Sequence, residues 1–192
     1  MKKDNFFENV KENVKIILLS FIFALTARMA IAENRYIPSE SMLPTLKIED
    51  KIVVEKITEL TKGFNRGDIV VFFPPFLEKN RDDLFSVITR KLSLPNHDAW
   101  IKRVIALPNE KVMIQNGTVY INGKPLEEKY IKEKPYYEMS EITVPNDSVF
   151  VLGDNRNNSK DGHVWGTLPQ KYIVGKAAFR YWPLDRMGKI LE

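Results

Sequence analysis

The sequence has 192 residues, of which 44% are hydrophobic and 11% aromatic, enough for one folded domain of ordinary size plus an anchor. Its formal charge of +4 arises from 29 basic and 25 acidic residues that are interspersed, which argues against a nucleic-acid-binding surface. It contains no cysteine and only two histidines, His97 and His163, which excludes disulfides, a thiol nucleophile and thiolate metal sites and disfavours a multi-histidine metal site.

The first predicted element is a transmembrane anchor at residues 16–32. Residues 16–27 carry no charge, and the continuation through Arg28 to Ala32 reaches seventeen residues, the low end of what spans a hydrocarbon core of ~30 Å. Four lysines lie within the first fifteen residues, so the positive-inside rule places residues 1–15 in the cytoplasm. Residues 33–192 would then form an extracytoplasmic domain.

Two alternatives compete with an uncleaved anchor. The apolar run is short enough to be a buried helix, although basic residues flank it at the N-terminus. A cleavable signal peptide is the second alternative, because "AIA" at Ala30 to Ala32 is an Ala-x-Ala pattern after an apolar run. Arg28 lies between the run and that pattern, which argues against easy processing.

After the anchor, runs of β-branched residues bounded by turn residues predict a mostly β domain. The predicted strands are "DKIVVEKI" (Asp50 to Ile57), "GDIVVFF" (Gly67 to Phe73), "AWIKRVIAL" (Ala99 to Leu107), "DSVFVLGDN" (Asp147 to Asn155) and "YIVGKAAFRYW" (Tyr172 to Trp182). The sequence "KVMIQNGTVYI" predicts a hairpin, in which Asn116-Gly117 supplies the positive φ angles of a two-residue turn.

An insertion at residues 74–98 does not fit the strand pattern. Its sequence "LEKNRDDLFSVITRKL" places Leu77, Leu84, Val87 and Leu92 at helical spacing, which predicts a short amphipathic helix. Such a helix packs on the domain surface or, alternatively, lies on the membrane.

The segment "YIPSESMLPTL" follows the predicted anchor and carries three hydroxyl side chains on a proline-stiffened stretch. It is either a tether or the site of a nucleophile close to the bilayer. A nucleophilic serine such as Ser41 needs a neighbouring base. The candidate bases are His163, in a turn-rich stretch, Lys102, in an apolar strand, and the carboxylates of Asp154 and Asp161.

Four motifs occur in a fixed order behind the apolar segment: "IPSESMLPTL", "RGDIVVF", "WIKRVIALP" and "GDNRNNSKDGHVWG". This ordered set resembles the type I signal peptidases, membrane-bound Ser/Lys endopeptidases that remove signal peptides from exported pre-proteins. The resemblance runs from the anchor to about Gly166. It implies a mostly β, antiparallel fold with one N-terminal transmembrane helix, in which two sheets meet around the site and the catalytic pair lies at one edge. It also implies that no metal or cofactor is required.

The resemblance implies roles for the matched positions. Ser41 looks like the nucleophile and Lys102 like the general base. Ser39 resembles the residue whose hydroxyl joins the Ser41 backbone N–H in an oxyanion hole. Ser159 matches the serine that orients the lysine amine, and Asp161 resembles the carboxylate that buttresses the site.

Further positions match supporting parts of the family's site. Arg103 and Asp154 match a structural ion pair behind the catalytic residues. The positions that match the lining of the shallow S1 and S3 pockets are Ile37, Pro38, Met42, Leu46 and Ile101. Signal peptides ending in Ala-x-Ala would bind there as an added strand, with small side chains at alternate positions entering the pockets.

A lysine acts as a base only when it is neutral, and its unperturbed pKa of about 10.4 leaves almost none neutral at pH 7–8. Apolar neighbours of Lys102 would disfavour the charged amine and lower this pKa. Ile101, Val104, Met42 and Trp100 are the expected neighbours, and a bound substrate would desolvate the amine further.

Besides the insertion at residues 74–98, which has no obvious counterpart in the family, the sequence departs from the family pattern at three places. Glu40 replaces a frequent glycine beside the nucleophile, and would raise the pKa of Lys102 if it faced the amine. Asn109-Glu110 replaces a Gly-Asp pair after the proline. His163 stands where many relatives have an arginine, which puts the usual partner of Asp161 in doubt.

The resulting prediction is a monomeric signal peptidase I in a cell membrane or a thylakoid-type inner membrane. Its partners would be the bilayer and pre-proteins with N-terminal signal peptides, and it would bind no nucleic acid. One alternative is a catalytically weak or inactive relative that acts as a membrane-anchored binding or assembly factor. Another is a self-cleaving repressor-type Ser/Lys protease, against which the N-terminal anchor and the lack of a DNA-binding module argue.

Overall fold

The computed structural model describes residues 2–56, 63–77 and 98–190, and for residues 2–9 and 24–30 it describes the backbone alone. The helix predicted within residues 77–92 therefore lies almost wholly outside the described residues. The chain begins with helix α1, Lys2–Ile31, which leads directly into the first strand. Within the described residues, no helix combines the length and the mean hydropathy needed to cross a membrane.

Among residues 2–56, 63–77 and 98–190, the strands form two sheets. The larger sheet contains eight strands there, all of them antiparallel to their neighbours. These strands are β1 (Ala32–Tyr36), β2 (Lys51–Glu55), β3 (Ile69–Phe72), β4 (Trp100–Ala106), β9 (Ser148–Leu152), β10 (Leu168–Pro169), β11 (Ile173–Trp182) and β12 (Gly188–Lys189). The spatial order is β1-β2-β11-β3-β4-β9-β10, with β12 paired to β11. The mostly β, antiparallel fold predicted from the sequence is confirmed.

The smaller sheet has the order β7-β6-β5-β8 and is also antiparallel. Its strands are β5 (Lys111–Gln115), β6 (Thr118–Ile121), β7 (Lys124–Pro125) and β8 (Met139–Thr143). The predicted hairpin forms β5 and β6, and its turn residues Asn116 and Gly117 have φ angles of 49° and 70°. Asparagine and glycine tolerate this left-handed region at little steric cost, which fixes the register of the pair.

The two sheets share a hydrophobic core just beyond the position of Lys102 on β4. Ile105 and Ala106 of β4 and Phe150 and Leu152 of β9 pack against Val112 and neighbouring residues of the smaller sheet. Both faces of β4 are therefore covered from Ile101 onward, and every residue of the strand after Trp100 is buried. A lysine on this strand is removed from water.

Lys102 lies at the start of a strand whose first residues form an open edge of the larger sheet. Its strand β4 is an interior strand, paired with β3 on one side and β9 on the other. Pairing with β9 begins only at Arg103, however, while Trp100, Ile101 and Lys102 pair with β3 alone. The first part of β4 is thus open on one side, where the segment carrying Ser41 approaches.

Candidate active site

Ser41 lies on a loop whose ends are held together by backbone hydrogen bonds. The Ile37 N–H donates to the Asp50 carbonyl at 2.9 Å, and the Glu49 N–H donates to the Ile37 carbonyl at 3.0 Å. A turn closed by the Leu43 N–H and the Glu40 carbonyl, 3.0 Å apart, brings the serine to its apex. Ser41 is 8% exposed. The segment is therefore a fixed loop against the domain and not a tether.

Lys102 reaches Ser41 from strand β4. Its Nζ atom is 2.8 Å from Ser41 Oγ and 2.9 Å from the carbonyl oxygen of Ile101. The side chain is 4% exposed. Burial lowers the pKa of Lys102 from 10.5 to about 8, and the negative charges of Asp161 and Asp154 oppose this shift. A substantial fraction of the amine is therefore neutral at mildly alkaline pH, which is the form that can accept a proton.

Ser39 stands beside the nucleophile, with its Oγ atom 3.4 Å from Ser41 Oγ. This contact is long for a hydrogen bond between hydroxyls. The Ser39 hydroxyl can therefore turn toward another acceptor near the reacting oxygen.

Arg103 follows the lysine and points to the opposite face of the strand, where it pairs with Asp154. The guanidinium binds both carboxylate oxygens, at 2.9 Å through Nε and 2.8 Å through Nη2, and both side chains are fully buried. The Thr45 hydroxyl donates to the same carboxylate at 2.5 Å, and the Tyr130 ring lies 4.0 Å from the guanidinium. This ion pair ties β4, the Ser41 loop and the segment after β9 together.

The segment at residues 153–163, after β9, packs against the Ser41 loop. Asn155 donates its backbone N–H to the Ser41 carbonyl at 3.0 Å, and its side-chain amide donates to the Glu40 carbonyl at 3.1 Å. Gly153 packs so closely that an added Cβ would lie 2.5 Å from the Ser41 carbonyl oxygen and 2.3 Å from Ser159 Oγ. Only glycine fits at this position without displacing the nucleophile's segment.

Asp161 is fully buried and begins the short helix α2 (Gly162–Trp165). One of its carboxylate oxygens accepts the Gly153 N–H at 2.8 Å. The other accepts the His163 backbone N–H at 3.2 Å and lies 2.7 Å from His163 Nδ1. His163 is thus the side-chain partner of Asp161, which the sequence alone did not identify.

The hydrogen bond expected between Ser159 and the lysine amine is absent from the structure. Ser159 Oγ is buried near Gly153 and, within the described part of the chain, has no hydrogen-bond partner. The amine is instead satisfied by Ser41 and by the Ile101 carbonyl. A buried hydroxyl without a partner costs free energy, so a partner supplied during the reaction would be favourable.

A cleft of about 690 Å³ opens in front of Ser41 and Lys102. Its lining comprises Pro38, Ser39, Glu40, Ser41, Ile48, Asp98, Ala99, Trp100, Ile101, Lys102, Asn158 and Lys160. Pro38 and Ile101 lie where the sequence-based pocket prediction placed them. Ile37, Met42 and Leu46 do not line the cleft, because they are buried in the hydrophobic core beneath the loop.

The chain is similar in sequence to proteins of one known family. A sequence model of the family described as signal peptidase, peptidase S26, matches residues 10–182. The chain belongs to this signal peptidase family. It is 46% identical to "Probable signal peptidase I-1" of Synechocystis sp., over 94% of this chain and 87% of that protein. It is 47% identical to "Signal peptidase I" of Leptolyngbya laminosa, over 93% and 83% of the two chains.

More distant relatives are also similar. The chain is 38% identical to "Thylakoidal processing peptidase 1, chloroplastic" of Arabidopsis thaliana, over 92% of this chain and 50% of that protein. The crystal structure of a signal peptidase I from Enterococcus faecalis is 28% identical, covers 60% of this chain and 97% of its own, and superimposes with a TM-score of 0.45.

The remaining departures from the signal peptidase pattern have local structural explanations. Glu40 is exposed, and its carboxylate accepts a hydrogen bond from the Asn158 amide at 3.3 Å, on the rim of the cleft. Asn109 takes a φ of 66°, and Glu110 accepts the Leu107 N–H at 2.7 Å and pairs with Arg66 at 2.6 Å. Both changes leave Ser41 and Lys102 in contact.

Sequence reasoning missed several residues around the site. Asn158 and Lys160 line the cleft, and Asn155 holds the Ser41 loop from the side. Trp100, predicted only as a neighbour of Lys102, lines the cleft as well. Arg156 binds Glu128 in a buried ion pair that fastens the segment at residues 153–163 to the chain after β7. The "GDNRNNS" motif contains Asn155 and Arg156, but nothing in their spacing indicates which partners they contact.

Proposed function

We propose that the chain is a membrane-associated signal peptidase I in which Ser41 is the nucleophile and Lys102 the general base. The single observation that carries this proposal is the 2.8 Å contact between Lys102 Nζ and Ser41 Oγ in a buried setting. Neutral Lys102 takes the hydroxyl proton as Oγ attacks the scissile carbonyl carbon. The resulting ammonium then gives that proton to the departing amine of the mature protein, which leaves the signal peptide esterified to Ser41.

The second half of the reaction uses the same pair. Lys102, neutral again, removes a proton from a water molecule that attacks the ester carbonyl. Collapse of this second tetrahedral intermediate breaks the bond to Ser41 Oγ, which recovers its proton from Lys102. The signal peptide leaves as a carboxylate and the enzyme is regenerated.

The oxyanion of each tetrahedral intermediate would be bound by the Ser39 hydroxyl and the Ser41 backbone N–H. The 3.4 Å separation of the two serine Oγ atoms supports this role, since Ser39 is near the reacting oxygen without being fixed to it. Removal of one such donor typically costs ~10²–10³ in rate. Ser159, which is buried and has no hydrogen-bond partner among the described residues, would turn to the lysine amine when Ser41 is acylated and no longer available to it.

The substrate would enter the cleft as an added strand beside the open part of β4. Trp100 and Ile101 lie at the cleft and have no pairing with β9, which supports this geometry. Alternate substrate side chains then face the cleft wall formed by Pro38 and Ile101, where small side chains such as alanine fit. Ile37, Met42 and Leu46 lie in the hydrophobic core behind this wall.

We further propose that residues 16–32 anchor the enzyme as a single span, with residues 1–15 cytoplasmic and residues 33–192 extracytoplasmic. The uncharged run at residues 16–27 and the exposure of its side chains support this placement; Ile16, Ile17, Leu18, Phe21 and Phe23 are each at least 55% exposed. The enzyme would be a monomer that meets its substrates at the bilayer surface. Resistance to alkaline extraction, together with protease accessibility from the extracytoplasmic side alone, tests the topology; release at high pH would contradict it.

The function is tested with detergent-solubilised full-length protein and a pre-protein whose signal ends in Ala-x-Ala. Mass spectrometry should find one cut after the second alanine with the wild type, and none with Ser41→Ala. Ser140→Ala, a change of an exposed serine on β8, is the matched control and should cleave normally. Binding of the pre-protein without cleavage by the wild type would instead support the binding or assembly factor.

A further inference from the structure

The imidazole ring of His163 contacts Asp161 on one side and Tyr137 on the other. Its Nδ1 atom lies 2.7 Å from an oxygen of the buried Asp161 carboxylate, and because a carboxylate can only accept, Nδ1 carries the hydrogen and donates it. On the other side the Tyr137 ring stacks on the imidazole, with centroids 3.8 Å apart and an interplanar angle of 15°. The side chain is 18% exposed. The second ring nitrogen, Nε2, is therefore the one left to gain a proton.

Asp161 connects this pair to the catalytic residues in two ways. Its carboxylate fixes the Gly153 N–H at 2.8 Å, and Gly153 packs directly against the Ser41 carbonyl. Its negative charge also favours the protonated form of Lys102, and it acts on that amine more strongly than the charge of Asp154 does. A group that changes the charge beside Asp161 therefore shifts the pKa of the Lys102 amine.

The other charged groups near Tyr137 are already paired. Arg156 and Glu128 bind each other through two hydrogen bonds, at 2.8 and 2.5 Å. Burial, and then the charge of Asp161, raise the pKa of Tyr137, so its hydroxyl stays neutral wherever the enzyme works. Within this cluster, His163 is the side chain that contacts the Asp161 carboxylate directly.

We propose that His163, clamped between Asp161 and the Tyr137 ring, is a positioning residue that sets the negative charge with which Asp161 acts on Lys102. The inference rests on the proposed role of Lys102 as the base. When Nε2 is protonated, the imidazolium neutralises much of the Asp161 charge, and the lysine amine loses its proton more readily. When His163 is neutral, the full charge of Asp161 acts on the amine and holds its proton.

The roles of charge and of hydrogen bonding can be separated by substitution. His163→Arg keeps a donor to Asp161 and carries a permanent positive charge, whereas His163→Gln keeps a donor and carries none. His163→Lys and His163→Asn repeat this comparison with other side chains, in case the larger pair disturbs folding. Tyr137→Leu removes the stacking ring while Tyr137→Phe retains it, and Tyr136→Leu, at an exposed neighbouring tyrosine, is the control.

The deciding measurement is the titration of the Lys102 amine in the full-length protein by NMR of isotopically labelled lysine, identified by its loss in Lys102→Met. The midpoint should lie about half a pH unit lower in His163→Arg than in His163→Gln. The midpoint for cleavage should move in the same direction, while KM stays constant. Equal NMR midpoints in the two variants would overturn the proposal.

Two further measurements distinguish the role of Lys102 as the base from the effects of His163 and Tyr137. Because the NMR titration does not depend on cleavage, a shift of the amine midpoint with no effect on cleavage would count against Lys102 as the base and not against the effect of His163. Tyr137→Leu should lower kcat several-fold while Tyr137→Phe and Tyr136→Leu should not. Equal effects of Tyr137→Leu and Tyr136→Leu would exclude a role for the stacked ring.

Discussion

The Nζ atom of Lys102 lies 2.8 Å from the Oγ atom of Ser41, although 61 residues separate the two in sequence. The lysine is on a strand covered on both faces, and the serine is at the apex of a loop held against that strand. Strand β4 keeps the Lys102 amine out of contact with water, and the loop places the Ser41 hydroxyl beside that amine. The contact places a base with a pKa lowered to about 8 beside a serine hydroxyl, which needs a base to take its proton.

Replacing Lys102 by methionine should stabilise the fold near neutral pH. The folded protein holds the amine with a lowered pKa of about 8, whereas the unfolded chain keeps the ordinary value of 10.5. The unfolded state therefore binds more protons between these values, and wild-type stability rises with pH through that window. Well below pH 8, Lys102→Met should be more stable by about 3 kcal/mol, a gain that shrinks toward pH 10.5.

Urea unfolding of wild type and Lys102→Met at pH 7, 8, 9 and 10 measures this difference. The control is Lys111→Met, at a lysine that is 57% exposed. A Lys102→Met advantage that stayed constant from pH 7 to 10 would show that the amine is not perturbed.

Breaking the buried ion pair at one partner should be strongly destabilising. Asp154→Asn leaves the fully buried Arg103 guanidinium without its counter-charge, at a cost of about 3–5 kcal/mol. Glu141→Gln breaks the exposed pair with Lys111 and should cost less than about 1 kcal/mol. Thermal unfolding of both variants tests this, and similar losses in both would contradict the role of the buried pair.

A methyl group at Gly153 should disturb the nucleophile. Gly153→Ala would place a carbon 2.5 Å from the Ser41 carbonyl oxygen, so the loop must shift. Because a displacement of about 1 Å at a catalytic group can cost ~10²-fold in rate, we expect kcat to fall by that order. Gly188→Ala, where no atom lies within 4 Å of the added carbon, is the control and should keep full activity. Wild-type kcat in Gly153→Ala would exclude this close packing.

Removing the Ser159 hydroxyl should lower kcat without lowering the free energy of unfolding. Within the described residues this buried hydroxyl has no hydrogen-bond partner, so Ser159→Ala should leave the free energy of unfolding unchanged or slightly higher. If the hydroxyl orients the lysine amine during the reaction, kcat should still fall about tenfold. Ser148→Ala, which loses a bonded and buried hydroxyl, should show the reverse, a loss of about 1 kcal/mol with normal kcat. Full kcat in Ser159→Ala would remove Ser159 from the mechanism.

The strands that the sequence predicted are those whose apolar periodicity is strong, such as β4 and the β5–β6 hairpin. The apolar pattern did not predict β1 or β8, with sequences "AENRY" and "MSEIT", because these lie at sheet edges. An edge strand is half solvated, so polar residues are tolerated there and the alternating pattern fades.

The pairing of Ser41 with Lys102 could be predicted from motif order but not from local pattern. A lysine in an apolar strand is usually exposed, and it is the second sheet, 111–143, that covers the end of β4 and buries its neighbours. For the same reason, the pocket prediction failed at Met42 and Leu46, since the motif cannot distinguish the wall of a cleft from the core behind it. Tertiary contacts determine both the burial of Lys102 and the position of Met42 and Leu46 in the core.

The most direct test of the Ser41–Lys102 assignment is the pH dependence of kcat/KM from pH 6 to 10 for full-length protein in detergent. The wild type should rise in a single step with a midpoint near 8, the pKa of the buried amine. Ser41→Ala and Lys102→Ala should lose activity at every pH. If activity survived in Lys102→Ala but vanished in a His163 variant, the base would be the histidine and the assignment of Lys102 would be wrong.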